Sequence, residues 1–287
     1  MASFMLRKGR LLMTGPAALA SIYGMGLGAR LPQCSGYSNA AATLPNLKAT
    51  TLPEKITVYQ YKICPFCHRV KAYLDFLRIP YETVEVNPLT KGELKFSADY
   101  KKVPVIVVDS LQINDSSPIL DHITKSFVSA AGAKSLITAD TEKWAEWSEK
   151  KLAVMLYPNI TRTVKESWEC FAYTADVLEW NPVVRFGTRV AGTAAMSLAN
   201  GKIKTKYGIV NERAELEAVL SEWTTAVGDK PFLHGSAVTL PDLMVYGVLR
   251  SIEGLSTWME IMQASPALKA WYDRVQEVTP SCEIIKR

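Results

Sequence analysis

The first 53 positions contain no acidic residue, while they carry Arg7, Lys8, Arg10, Arg30 and Lys48. Those are five of the chain's 33 basic residues, so residues 54–287 balance 28 basic against 28 acidic side chains. The net charge of +5 therefore belongs to the leader and not to the body. A nucleic-acid surface is not expected, because neutralising phosphates requires a clustered basic face. Histidine is scarce, at three residues, and the five cysteines fall far short of a disulfide framework. Cys34 lies in the leader, and Cys170 and Cys282 stand alone. That usage suits an intracellular chain with no structural zinc, since zinc takes four ligands, usually with a second paired set. Long hydrophobic runs are also missing after the leader: the small-residue stretch 190–199 is too short to span a bilayer.

The leader itself is rich in Ala, Ser, Gly and Thr with early arginines, a composition that suits an organellar transit peptide. Its uncharged run, residues 11–29 (LLMTGPAALASIYGMGLGA), approaches the roughly 20 residues of a membrane span but is interrupted by glycines and a proline. A cleaved mitochondrial presequence is the expectation for residues 1–53. The alternatives are a plastid presequence, a membrane anchor that leaves the catalytic body in the cytosol, and a disordered tail.

From residue 54 the patterning becomes regular. Residues 55–61 (KITVYQY) are β-branched and aromatic and read as a strand. Apolar residues at Phe66, Val70, Tyr73, Leu74 and Leu77 then follow at helical spacing, with Pro65 at the first helical position. Residues 81–86 (YETVEV) alternate as a second strand, and residues 91–100 read as a weaker helix. Residues 103–108 (VPVIVV) form a buried strand that residues 111–113 can pair across the turn at Asp109-Ser110. Asp115-Ser116-Ser117-Pro118 caps a helix running to about Phe127. The order β-α-β-α-β-β-α makes residues 54–128 a thioredoxin-like α/β domain, with Val103-Pro104 a candidate cis bond at a strand start. Periodicity in residues 140–287 is helical almost throughout, which gives an all-α C-terminal domain. Residues 181–207, with Gly187, Gly192 and the Lys202/Lys204/Lys206 triplet, read as an irregular connection or insertion, its lysines a solvated loop or a membrane-surface contact.

Cys64 and Cys67 form a C-P-x-C pair that follows a strand and opens a helix. At a helix N-cap, sulfur meets free backbone N–H groups and the positive end of the helix dipole, and both favour thiolate. Cys67, one turn later, can reach back to resolve a mixed disulfide. With His68 the string also fits a c-type haem attachment site, half a zinc site, or two inert core cysteines. The strand before it and the helix after it favour the thiol reading.

Several strings carry a resemblance: YQYKICPFC, PYETVEVNP, ELKFSADYKKVPVIVV, INDSSPIL, PNITRT, KPFLHG and DLMVYGVLRSIEGL. The two-domain order resembles glutathione transferases, and within that architecture the strings resemble the membrane-associated prostaglandin E synthase type 2 family over residues 54–275. The loop after Phe127 is shorter than the resemblance would suggest. The resemblance implies that Tyr61, Cys64 and Cys67 match the family's active-site tyrosine and cysteine pair. It also implies that Val103 and Pro104 pair with the cysteinyl backbone of glutathione, and that Asp115 and Ser116 hold its γ-glutamyl end. Glutathione as cofactor, non-covalent haem, possible membrane association and a homodimer follow from the same resemblance. So does the reaction, isomerisation of prostaglandin H2 to prostaglandin E2. In it Cys64 addresses the O–O bond, Tyr61 donates a hydrogen bond and Cys67 tunes the pair.

Thr239-Leu-Pro-Asp242 resembles the S/T-x-x-D capping box of a transferase core helix. Tyr157, Trp144, Trp147 and Trp168 either line a lipid pocket or fill a core, and His68 and His122 are lone histidines of structural or solvated type. Two other readings of the same dithiol stand beside the isomerase. One is a glutaredoxin-like thiol-disulfide oxidoreductase, or a glutathione transferase, acting on a disulfide substrate; the other is a non-catalytic haem or glutathione binder.

Overall fold

A computed structural model describes residues 52–129, 136–177 and 179–284. The leader, where the presequence and anchor readings fall, lies outside the described residues. Four strands build one sheet: β1 (Ile56–Gln60), β2 (Glu82–Glu85), β3 (Val105–Val108) and β4 (Leu111–Asn114), in the spatial order β2-β1-β3-β4. Strands β1 and β2 are parallel, with Thr57 opposite Glu82 and Gln60 opposite Glu85. The helix α1 (Pro65–Phe76) makes the crossover between them that a parallel pair requires. The pairs β1/β3 and β3/β4 are antiparallel, and β4 follows β3 directly through the turn at Asp109-Ser110.

The remaining helices are α2 (Ser116–Ile123), α3 (Thr141–Trp147), α4 (Ala153–Ile160), α5 (Val164–Cys170), α6 (Pro182–Tyr207), α7 (Glu212–Val227), α8 (Leu240–Arg250), α9 (Ser256–Ala264) and α10 (Pro266–Val278). Wider π-type turns follow α2 at Thr124–Ser129 and α3 at Ser148–Leu152. None of the described helices is long and apolar enough to cross a membrane.

Helix α1 is the hinge of the packing. Its residues from Cys67 to Phe76 are all buried, the charged ones included. Val70, Tyr73 and Leu74 share one buried core with Ile56, Val58 and Ile106 of the sheet, and α1 packs closely against α8. The two helix backbones touch at Gly247, where a Cβ would stand 2.6 Å from the His68 carbonyl oxygen and 2.7 Å from the Arg69 Cα. Each buried charge of α1 has a partner: Arg69 with Glu149 at 3.1 Å, Lys71 with Glu283 at 2.9 Å, and Asp75 with Arg250 at 2.7 Å. Burying such groups unpaired would cost several kcal/mol each, so these pairs lock the register of α1 against the helical layer.

Helix α8 starts at the expected capping box. The Asp242 carboxylate accepts from the Thr239 N–H at 3.0 Å and hydroxyl at 2.8 Å, from the Leu233 N–H at 3.0 Å and from Trp271 Nε1 at 3.0 Å. Beyond it Trp144, Trp147, Trp223 and Trp271 pack edge-on or stacked at 5.0–6.0 Å. Trp144 and Trp147 are therefore core residues.

Two expectations are corrected. Residues 91–100 contain only the short 3₁₀ turn Gly92–Leu94, because Lys91 sits at φ 50° and Asn87 organises the preceding loop. Its side-chain oxygen accepts from the N–H groups of Leu89 and Thr90, and the Glu93 carboxylate accepts from the Asn87 N–H. Residues 181–207, expected to be irregular, form the longest of the described helices. Asn181 caps it by accepting from the Val184 N–H at 2.9 Å, Pro182 takes the first turn, and Gly208 ends it at φ 67°. Gly192 lets α6 approach Phe171, whose ring would lie 2.4 Å from a Cβ there. The low helix propensity of its glycines is outweighed by these caps and contacts. The lysine triplet accordingly lies on a helix and not in a loop.

Candidate functional site: a thiol at the end of an apolar cavity

The chain turns from β1 into α1 through residues 61–64, where the Cys64 N–H donates to the Tyr61 carbonyl at 2.9 Å. Cys64 is the N-cap of α1 in extended conformation, with Pro65 following, so its sulfur faces the helix's unpaired N–H groups. The Cys67 N–H donates to the Cys64 Sγ at 3.4 Å. Burial pushes the Cys64 thiol up. The Cys67 thiol and the backbone N–H groups of Cys67 and Phe66 outweigh it and hold the thiol below its ordinary range. Cys67 moves the opposite way, well above the usual thiol range, through burial and through its partnership with Cys64. The two sulfurs are thus unequal: Cys64 is the more acidic thiol of the pair and Cys67 its hydrogen-bond donor.

His68 is not available for haem or metal. It is buried, with Nε2 2.7 Å from the Lys62 carbonyl oxygen, and burial lowers its pKa well below the usual imidazole value. Among the described residues no group of His, Cys, Asp and Glu is arranged to hold a metal ion.

Cys64 opens onto a cavity of about 560 Å³ built from both layers. Tyr61, Phe66 and Leu89 contribute from the sheet side, and Leu156, Tyr157, Phe171, Tyr173, Gly192, Met196 and Tyr207 from the helices. None of its lining residues is charged. Cys64 is buried, whereas Leu89 and Tyr207 are 54% and 49% exposed, so the sulfur lies deep and these two side chains mark the rim. Tyr61 is half-buried, and burial, then the charges of Cys64 and Cys67, push its phenol up to about 12, so it stays a proton donor at neutral pH. Of the four aromatics singled out in the sequence, Tyr157 lines the cavity. Trp168 instead lies under Arg189, 4.1 Å from its ring centroid.

The expected glutathione residues are tied to the thiols through Val103. Val103 packs in one small cluster with Cys64 and Cys67, and its bond to Pro104 is cis. The Pro104 carbonyl accepts from the Asp115 N–H at 3.1 Å, which ties Asp115 to the same edge. Asp115 is exposed, with its carboxylate accepting from the Ser116 N–H at 2.7 Å. Ser116 is fully buried and its Oγ accepts from Arg69 at 3.4 Å, so its hydroxyl faces the interior.

Three neighbours were not singled out in the sequence. Tyr100 lies within reach of Asp115, Cys67 and Cys64, and burial followed by those charges pushes its phenol up to about 12. Glu85, at the end of β2, accepts from the Lys62 N–H at 2.9 Å and from Gln60 Nε2 at 3.3 Å. Burial lifts its carboxyl to about 7. Tyr173 interacts with Glu85 and walls both the apolar cavity and a polar pocket of about 500 Å³ that Glu85 lines.

Comparisons with known proteins agree with this architecture. Residues 58–130 match the glutathione S-transferase N-terminal domain, and residues 195–274 match the glutathione S-transferase C-terminal domain. Prostaglandin E synthase 2 of Mus musculus is 34% identical over 340 aligned positions, covering 97% of this chain and 87% of that protein. Prostaglandin E synthase 2 of Danio rerio is 32% identical over 271 positions, covering 78% and 71% respectively. A glutathione S-transferase structure from Sinorhizobium meliloti superposes with a TM-score of 0.53 at 16% identity, covering 78% of this chain and 88% of that one, which speaks for the fold. With a mixed four-stranded sheet, a thiol-capped first helix and a helical second layer, the chain belongs to the prostaglandin E synthase 2 family.

Proposed function

We propose that this chain is a glutathione-dependent isomerase that converts prostaglandin H2 to prostaglandin E2 at Cys64. The observation that carries the reading is the position of the most acidic thiol of the site at the deep end of an uncharged cavity. A volume of about 560 Å³ lies within the range of small-molecule sites, roughly 300–1,000 Å³, and its apolar walls suit a lipid.

The chemistry balances without an outside oxidant. The Cys64 thiolate attacks one oxygen of the endoperoxide; an S–O bond forms as the O–O bond breaks. The departing oxygen takes a proton from the Tyr61 phenol and becomes the hydroxyl. The resulting phenolate removes the proton from the carbon bearing the other oxygen, the C=O bond forms, and the S–O electron pair returns to sulfur. Thiolate and phenol are both restored.

The edge formed by Val103, Pro104 and Asp115 suits glutathione, because the exposed Asp115 carboxylate is available to its ammonium group. Ser116 would contribute only by turning outward. Bound glutathione would supply a second thiol beside Cys64. Haem fits less well: no histidine lines the cavity, and the sulfur available to iron there is Cys64, the nucleophile itself. No step is routed through haem.

The test uses the full chain with glutathione present and haem removed, in two assays. One measures conversion of prostaglandin H2 to prostaglandin E2, the other reduction of a mixed glutathione disulfide. Isomerisation that disappears in Cys64→Ser is the expected result. Disulfide reduction without isomerisation would overturn the reading in favour of a glutaredoxin-like oxidoreductase. Capture of haem or glutathione with neither turnover would make the chain a binder. For the leader we retain the cleaved mitochondrial presequence. Sequencing the N-terminus of protein from its native cells tests it, and an intact Met1 would reject it.

A further inference from the structure

The His68 ring follows the cysteine pair and makes one hydrogen bond among the described residues, from Nε2 to the Lys62 carbonyl at 2.7 Å. A carbonyl only accepts, so Nε2 carries the proton. Nδ1 is then a bare nitrogen, buried and without a partner. Burial, followed by the charges of Lys71 and Arg250, keeps the ring neutral, so the donor is permanent at ordinary pH.

The carbonyl it holds belongs to the turn that carries the site. The Cys64 N–H donates to the Tyr61 carbonyl at 2.9 Å, which makes residues 61–64 a β-turn with Lys62 and Ile63 at its centre. Tyr61 opens this turn and Cys64 closes it, so its form sets how the phenol and the sulfur stand relative to each other. The central peptide of a β-turn can face either way: types I and II differ by about half a rotation of that one unit. His68 fixes the carbonyl of this central peptide. The peptide before it is held through its Lys62 N–H, which donates to the Glu85 carboxylate at 2.9 Å. Gln60 Nε2 steadies the same carboxylate at 3.3 Å. The Lys62 side chain is exposed and Ile63 is half-buried, so these hydrogen bonds do what side-chain packing does elsewhere.

We propose that His68 and Glu85 are positioning residues, a two-point clamp that holds the Tyr61–Cys64 turn in the one form that presents sulfur and phenol to the same cavity. Neither side chain lines that cavity, so both act through the turn and not on the reacting atoms. The inference rests on the reading of Cys64 as the reacting thiol, and it adds what keeps that thiol in place.

The test compares His68→Leu, which keeps the bulk and removes the donor, with His68→Gln, whose amide N–H can still reach the Lys62 carbonyl. Each is read in the full chain by the rate of Cys64 alkylation with iodoacetamide and by kcat and KM for prostaglandin H2. A hydrogen bond of ordinary net strength shifts a two-state turn about two- to tenfold. His68→Leu should lower the alkylation rate and kcat by about that factor, with KM little changed, and His68→Gln should restore most of both. Glu85 is tested by Glu85→Ala against Glu85→Gln, a comparison in which the loss of its charge cancels. Gln60 Oε1, buried and unpartnered, can turn to accept from the amide at position 85, so Glu85→Gln keeps both contacts. Glu85→Ala should be slower than Glu85→Gln by about the same two- to tenfold. Wild-type alkylation and kcat in His68→Leu would overturn the proposal. So would equal losses in His68→Leu and His68→Gln, which would point to ring packing. Should His68→Leu fail to fold, the Glu85 pair decides, and equal rates there would overturn the clamp. Alkylation requires no turnover, so a slowed Cys64 in His68→Leu of a chain that makes no prostaglandin E2 would sink the isomerase reading alone. Isomerisation by a wild type whose His68→Leu variant reacts and turns over equally fast would sink this one alone.

Discussion

Replacing Cys67 by alanine tests the division of labour between the two sulfurs. Cys67 supports the Cys64 thiolate in two ways: its backbone N–H donates to the Cys64 Sγ at 3.4 Å, and its thiol donates as well. Cys67→Ala removes the second donor and keeps the first. A hydrogen bond to a charged group contributes about 1.5–3 kcal/mol. Its loss should raise the Cys64 thiol and move its equilibrium from thiolate toward thiol. Near neutral pH the thiolate fraction, and with it the alkylation rate, should fall by about tenfold or more. The assay is iodoacetamide labelling of the full chain between pH 5 and 10, with modification of the Cys64 peptide followed by mass spectrometry. Cys67→Ser is the control, because its hydroxyl can still donate and should preserve most of the shift. Equal thermal stability of the two variants would remove misfolding as an explanation. A Cys64 midpoint that stays in place in Cys67→Ala would refute the reasoning and leave the helix N-terminus as the whole cause.

Three further outcomes follow from the structure. Burial raises Glu85 from 4.5 to about 7, so its contribution to stability is fully present below 4.5 and is lost as pH rises through 7. Wild type should therefore lose up to about 3 kcal/mol more than Glu85→Gln across that window, less where solvent reaches the carboxyl, and parallel denaturant curves for the two would contradict it. Gly192→Ala places a methyl group 2.4 Å from the Phe171 ring; the ring must move into the cavity or α6 must shift. A loss of about 1–3 kcal/mol together with weaker binding of cavity ligands is expected, and unchanged ligand affinity would count against Phe171 as a cavity wall. Asp242→Ala strands the Trp271 Nε1–H and the N–H groups of Thr239 and Leu233, and should cost about 3–5 kcal/mol in chemical denaturation. A loss below 1 kcal/mol would show that water replaces the carboxylate there.

The parts of this fold that were legible in the sequence are those with local causes. The strand before Cys64, the proline after it and the apolar spacing of α1 all act within one stretch of chain, and the N-cap geometry follows from them. The turn between β3 and β4 and the capping box of α8 are likewise local. In residues 181–207 the glycines point to an irregular connection, while the end signals point to a helix. Asn181 before Pro182, and Gly208 after a lysine-rich last turn, are helix boundaries visible in sequence. Glu85, Tyr100 and Tyr173 were not legible for a different reason. Glu85 looks like its neighbour Glu82 in an alternating strand, and only the fold brings it beside Lys62 and Tyr173. The same holds for the cavity, whose walls come from segments more than 100 residues apart in the chain.

The unequal thiols also bear on the type of chemistry. A dithiol reductase cycles through a Cys64–Cys67 disulfide, and each turnover consumes reductant to reopen it. That cycle needs Cys67 to become a thiolate in its turn against burial, the largest of the causes that hold it above the usual range, even after Cys64 has lost its charge to a mixed disulfide. A redox-neutral rearrangement makes no such demand: Cys67 serves by remaining protonated and donating, while Cys64 alone attacks and leaves. An uncharged cavity is suited to the same task. It offers no ionic contacts for the polar surface of a protein disulfide, and it keeps water from the sulfur–oxygen bond that the rearrangement passes through. The burial of Cys67 and the chemistry of the cavity therefore favour one thiol working on an apolar peroxide over two thiols working on a disulfide.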